Sequence, residues 1–245
     1  LIRYVVVAAI SVLLTIAAYF IWFYVHLNQE ISPKSSTWGE FGSYVGGVLG
    51  PVLSFISLFF LIKSLTLQNQ ANEALRNEAK EAEKSEQLKA FSAVFFHMID
   101  SQKVLLEKLA IDHRLEDGSI VTKTGAAAII TIENEVKKLR SIGAEDEHIA
   151  EYITKIDSTD QIFGILRAFY VTTKMVSEKI TDQRGFSTIE RTDFFNTLLA
   201  FTDFAQLRLI IMGIQFTDSA AARYLRGNGE LISVLRDAHL PLDLY

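Results

Sequence analysis

Tyr44-Val45-Gly46-Gly47-Val48-Leu49-Gly50-Pro51-Val52-Leu53-Ser54-Phe55-Ile56-Ser57-Leu58-Phe59-Phe60-Leu61-Ile62 contains no charged side chain, and Lys63 ends the run. A helix of that length rises about 28 Å, close to the ~30 Å hydrocarbon core of a bilayer. In lipid a backbone must satisfy its own hydrogen bonds, which a helix does. The stretch therefore predicts a membrane span over 44–65, with Lys63 extending its ammonium to the headgroups. Gly46 and Gly50 stand one helical turn apart, and Gly42, Gly47, Ser54 and Ser57 continue a small, weakly polar surface that lets another backbone approach closely. Pro51 would kink the helix or start it afresh. Gly42, Gly46, Gly47, Gly50, Pro51, Ser54 and Ser57 thus pack the span against a partner helix or line a pore between copies; the packing role asks less of them.

Upstream, Tyr4 to Val25 is also free of charge and ends in an aromatic cluster, Tyr19, Phe20, Trp22, Phe23 and Tyr24. Trp and Tyr favour the headgroup level. A cleaved signal peptide is the other reading, but the apolar run is long for one and no small-x-small cleavage site follows it. Spans at 4–25 and 44–65, joined by a short segment, predict a transmembrane hairpin over residues 1–67. Arg3 precedes the first span, while Lys63 and Arg76 follow the second; the connection carries Glu30, Lys34 and Glu40. The positive-inside bias places both ends in the cytoplasm.

Downstream nothing breaks the helix. Residues 68–90 are rich in Ala, Glu, Lys and Gln, strong helix formers, and predict a stalk. Arg76, Lys80 and Lys84 share one face. With Lys63 they form a basic stripe able to touch anionic lipid, although a solvated surface is the plainer reading. Apolar residues are too sparse here for a coiled coil.

Residues 91–245 predict a helical domain in the cytoplasm. Phe91, Val94, Phe95, Met98, Ile99, Gln102 and Leu105-Leu106 recur at helical spacing and open its core. Asp112–Thr124 reads as a loop around Asp117-Gly118. Further helices are expected over 125–142, closed by Gly143, over 145–156, and from a cap at Ser158, Thr159 or Asp160 to a break at Gln183-Arg184-Gly185. Thr188–Ile214 is apolar nearly all round and predicts one central helix; Asp193, Asp203 and Arg208 argue against a third span. A helix pair hinged at Gly227-Asn228-Gly229 follows, and the tail from Pro241 to Tyr245 is expected to fray. The fold class is all-α.

The 245 residues carry a formal net charge of -5 and a mean hydropathy of +0.22, between a soluble domain and a polytopic transporter. Mild acidity argues against nucleic-acid binding. Cysteine is absent, so there is no disulfide framework, thiol nucleophile or thiolate metal site. No P-loop, dinucleotide fingerprint, HExxH helix or nucleophile elbow occurs. His26, His97, His113, His148 and His239 are scattered without metal-ligand spacing. The Arg–His spacing of helical HEPN-type ribonucleases is not met either: Arg140 and His148 are too far apart, Arg236 and His239 too close. His97 and Asp100 share a helix face, which a structural or surface pair explains. No cofactor or metal is expected, and an enzyme is disfavoured.

Trp38-Gly39-Glu40-Phe41-Gly42-Ser43-Tyr44-Val45-Gly46-Gly47-Val48-Leu49-Gly50-Pro51, the apolar helix after it and Leu65-Thr66-Leu67-Gln68 resemble the AbiC-like phage abortive infection family. Phe95-Phe96-His97-Met98-Ile99 and the stretch Phe194–Phe216 are similar to later segments of that family, while Asp112–Ile156 matches none of it. The resemblance implies bacterial antiviral defence at the inner membrane. Its expected partners are the lipid bilayer, further copies of the chain, and a phage protein or defence-system partner. A membrane-anchored enzyme, nuclease-like and served by His97 or His113, and a scaffold for a separate toxin are the rival expectations.

Overall fold

The computed structural model describes residues 2–26, 34–115 and 118–245. Among them the chain is mostly helical, with nine α-helices and one two-stranded sheet. It divides into two compact units, Leu1–Lys80 and Glu81–Tyr245. The division falls within the expected stalk, residues 68–90.

The N-terminal unit holds α1 (Ile2–Phe20), a π-helical turn over Ile21–His26, and the part of α2 (Ser35–Lys108) up to Lys80. The regular helix ends at Phe20 because the i→i+4 ladder widens there, short of the expected Val25. Of the expected connection, Glu30 lies outside the described residues, whereas Glu40 falls within α2. α2 begins at Ser35, not Tyr44, and runs through Gly39 and Gly42 as well as Trp38 and Phe41. Nor does Pro51 restart it: the helix runs on through the proline, whose missing N–H leaves the Gly47 carbonyl without its helical donor. Ala8, Ser11, Val12, Thr15, Ile16 and Tyr19 form the shielded stripe of α1, and Phe41, Val45, Leu49, Ile56 and Phe60 that of α2. Tyr19 joins the two, its ring 4.7 Å from Phe41 and 5.4 Å from Tyr44.

The C-terminal unit opens on the last turns of α2. Phe91, Phe95, Ile99, Gln102 and Leu106 are buried at helical spacing, whereas Val94 and Leu105 face solvent. The segment expected to be a loop instead pairs as an antiparallel β-hairpin, β1 (Ala110–Arg114) with β2 (Ile120–Thr124), Asp112 opposite Thr122. β-branched Ile120, Val121 and Thr122 favour extended backbone, so the fold is not purely helical. Then come α3 (Gly125–Ser141), α4 (Asp146–Ile156), α5 (Gln161–Lys179), a 3-10 turn at Asp182–Arg184, α6 (Thr188–Phe201), α7 (Phe204–Phe216), α8 (Ala220–Gly227) and α9 (Gly229–Asp237).

The expected single helix over 188–214 is two, bent by 113° between α6 and α7. Asp203 makes the break: its carboxylate accepts the amides of Ala205 (2.7 Å) and Gln206 (3.4 Å), capping α7. A residue satisfied as a cap competes with one continuous helix. α7 is the central element and is buried on nearly every side, from Ala205 through Phe216. α3, α5, α8 and α4 pack around it.

Other ends behave as their residues dictate. Gly143 and Gly185 close their helical turns at φ of +82° and +80°. Ser187 and Glu190 make a reciprocal capping box at α6. α5 is capped not by Ser158, Thr159 or the Asp160 side chain but by Asp157, which accepts from Ile162 and Phe163 N–H at 2.8 Å each. The tail does not fray. The Tyr245 amide donates to Gln215 Oε1 (3.2 Å), and Gln215 Nε2 donates to the Tyr245 carbonyl oxygen (2.7 Å).

Candidate membrane segment

α2 is the one helix among the described residues that is long and apolar enough to cross a membrane; only 6% of its most apolar window is buried within the chain. A bent pair, α6 with α7, passes the same test as a broken span, but α7 is the core of the C-terminal unit. Val6–Phe20 is a shorter apolar helix. Leaving Phe55, Leu58, Leu61 and Ile62 in water would be costly at roughly 25 cal/mol per Å² of apolar surface. Several hydroxyls in these helices are turned back on their own backbone: Ser11 donates to the Val7 carbonyl (2.9 Å), Thr15 to Ser11 (2.9 Å), Ser43 to Gly39 (3.0 Å) and Thr66 to Ile62 (3.0 Å). That hides polarity a bilayer would penalise.

Most of the small residues turn away from the shielded stripe of α2; Gly42, one heptad before Leu49, lies along it. Successive residues turn by about 100°. Gly46, Gly50, Ser54 and Ser57, with Ser43, therefore cluster on one side, well round from Val45 and Leu49. A Cβ added at Gly42, Gly46, Gly47 or Gly50 would meet nothing within 4 Å. Among the described residues, that leaves open space beside each of these glycines. Ser54 and Ser57 are exposed and, unlike Ser43, do not bond back to the helix.

The basic stripe divides. Arg76 and Lys80 are exposed and form no ion pair among the described residues. Lys84 reaches Glu190 at 3.1 Å and lies 5.2 Å from the centre of the Phe186 ring, so it is engaged inside the C-terminal unit. Glu190 is held below the usual carboxylate range by the Ser187 amide first and Lys84 next.

Of the histidines singled out, His97 is exposed on α2 beside exposed Asp100, with no hydrogen bond or ion pair between them, and His113 is half-buried in β1. No group of three or more His, Asp or Glu among the described residues is placed to hold a metal ion.

Two polar clusters escaped the sequence reading. Arg191 binds Glu230 through both ends of its guanidinium, at 2.6 and 2.8 Å, and donates to the Ile180 carbonyl at 2.8 Å. Glu133, buried on α3, accepts from Lys137 (2.7 Å), Arg208 (2.8 Å) and the Tyr245 hydroxyl (3.1 Å). Burial pushes its carboxyl up, yet those three donors together hold it below the usual range. A signal existed: Glu133 stands four after Ile129 and three before Val136, in register with the apolar face. Buried Gln102 donates to Thr172 Oγ1 at 2.8 Å, but its carbonyl oxygen, the Thr173 hydroxyl and the Gln206 amide nitrogen have no partner.

Compared with known proteins, the chain matches no protein-family model, no curated protein and no solved structure.

Proposed function

We propose that the chain is a bacterial inner-membrane protein of antiphage defence, of the AbiC-like abortive infection kind, with α1 and the apolar part of α2 forming a transmembrane hairpin. In this reading residues 91–245 lie in the cytoplasm and meet a phage-derived trigger or a defence partner. α2 carries the response to the membrane without interruption. Copies then associate through Gly46, Gly50, Ser54 and Ser57 and permeabilise the bilayer. A trigger has this effect only if it binds the resting and active forms unequally.

The observation that carries the reading is the uncharged, solvent-facing stretch of α2, whose glycines have open space beside them among the described residues. In lipid, helices associate where small residues allow backbones to approach, and this stretch offers such a face. The resemblance of Trp38–Pro51 to the defence family supplies the biological role.

The test is membrane potential during infection, followed with a voltage-sensitive dye in cells carrying the wild-type chain or Gly50→Leu. The expected result is depolarisation and protection with the wild-type chain and neither with Gly50→Leu, at equal membrane content. Full protection by Gly50→Leu with no fall in potential would refute permeabilisation. If His97→Ala or His113→Ala then abolished protection in a folded chain, a membrane-anchored enzyme would take its place.

A further inference from the structure

A concave site sits in the C-terminal unit, independent of the membrane reading. The β-hairpin, α3, α4 and the α4–α5 connection enclose a cleft of about 760 Å³. That volume falls in the range of small-molecule sites and well above what one inorganic anion fills.

Three cations reach this cleft from three elements: Arg114 at the end of β1, Lys138 in the last turn of α3, and Lys155 in the last turn of α4. None of the three forms an ion pair or a side-chain hydrogen bond among the described residues. Their neighbours on the same elements do: Lys137 is held by Glu133, and Arg140 by Asp146. Complementing a helix dipole accounts for a lysine in a last turn. It does not account for two last turns and a strand-end arginine lining one concavity, where the three cations outnumber the carboxylates of Asp112 and Glu135.

The remaining groups are donors and acceptors for hydroxyls. Asp112 is engaged by the Thr122 hydroxyl at 2.7 Å across the hairpin. Among the described residues Glu135 has no hydrogen-bond or ion-pair partner and lies by the half-buried Tyr152, whose hydroxyl also has none. Burial first, and Glu135 second, push the Tyr152 phenol up to about 12, so it stays a neutral donor. Ser158 and Thr159 close the rim.

We infer that this cleft binds a phosphorylated, hydroxyl-rich metabolite of ribonucleotide size. Its phosphate oxygens meet Arg114, Lys138 and Lys155, and its hydroxyls meet Glu135 and Tyr152. Guanidinium and ammonium donors suit phosphate oxygens, the first as a fork and the second as a point charge. A carboxylate free of cations is the acceptor a sugar hydroxyl pair requires.

Calorimetric titration of the full chain in uncharged detergent micelles tests this. The ligands are the ribonucleoside mono- and triphosphates and fructose 1,6-bisphosphate, with inorganic phosphate as the charge control. At least one phosphorylated metabolite should bind in the micromolar range and inorganic phosphate much more weakly. Lys138→Glu with Lys155→Glu should weaken it about 100-fold, the loss of two charge-assisted contacts. Tyr152→Phe, which keeps the ring, should weaken it several-fold, and Lys103→Glu on exposed α2 should change nothing. Thermal melts of each variant confirm that it is folded. No binding by any ligand, or binding indifferent to the cleft variants, would overturn the inference. So would full displacement of the metabolite in phosphatidylglycerol nanodiscs but not phosphatidylcholine ones, because the headgroup would then be the ligand.

Discussion

Replacing Glu133 by Gln keeps the shape of the side chain and removes its charge. The carboxylate is nearly inaccessible, 8% exposed, and faces Arg208 at 26% and Lys137 at 61%. Breaking a fully buried ion pair costs about 3–5 kcal/mol. Here Arg208 regains some water, Lys137 is largely solvated and contributes little, and the amide still accepts one hydrogen bond. The expected loss is therefore about 2 kcal/mol. For a unit of this size that lowers the melting temperature by ~4–8 °C. Circular dichroism melts of the full chain in detergent measure it, with Glu178→Gln as control. The Glu178–Lys174 pair is exposed on both sides at 3.7 Å, so that control should move less than ~1 °C. The pH dependence adds a second reading. The Glu133 carboxyl is depressed in the folded state, so its contribution is complete above the ordinary carboxylate value near ~4.3 and fades as pH falls through the lower folded value. The gap between wild type and Glu133→Gln should close in that acid window. A variant that melts with the control, or a gap constant down to strong acid, would refute the assignment of Glu133 as the hub joining α3, α7 and the tail.

Asp203→Ala should cost ~1 kcal/mol, because the α7 amides of Ala205 and Gln206 lose their acceptor; a chemical denaturation midpoint reads it, and Asp203→Asn should retain most of the stability. At alkaline pH the Tyr152 phenol keeps its proton up to about 12 in the folded chain, whereas the unfolded chain loses it near 10. The unfolded state then binds fewer protons, so stability should fall between those values, and Tyr152→Phe should flatten the fall in melts taken across that range. Gly213→Val should destabilise by about 1–3 kcal/mol, since a Cβ there already comes within 3.2 Å of the Leu166 side chain in the core; an unchanged denaturation midpoint would show that Leu166 gives way.

Periodicity made much of the helical pattern legible. Phe95, Ile99, Ile129, Ile132 and Val136 are buried where their spacing puts them, and Gly143 and the Gly227–Gly229 hinge fall where backbone chemistry demands. Where expectation failed, a local side chain outweighed the pattern. Asp203, capping within an apolar run, divided α6 from α7. Asp157 took the capping role from Asp160 because its carboxylate reaches two α5 amides from outside the helix. The β-hairpin was concealed by the charges around its turn, although β-branched residues flanked it. Long-range polar pairs were the least legible: Glu133 with Arg208 and Tyr245, or Arg191 with Glu230, depend on elements far apart in sequence. For the same reason the cleft cations read only as ordinary surface residues until the chain had folded.

The unfilled space beside Gly42, Gly46, Gly47 and Gly50, in a chain with no native thiol, makes that ridge directly addressable by chemistry. A single cysteine at any of these positions enters without an internal clash, in a helix that glycine itself destabilises. Every maleimide label or spontaneous crosslink would then report on that one position alone. Walking the thiol along the four sites would map, turn by turn, which neighbour occupies the ridge and which sites stay open to water-soluble reagents.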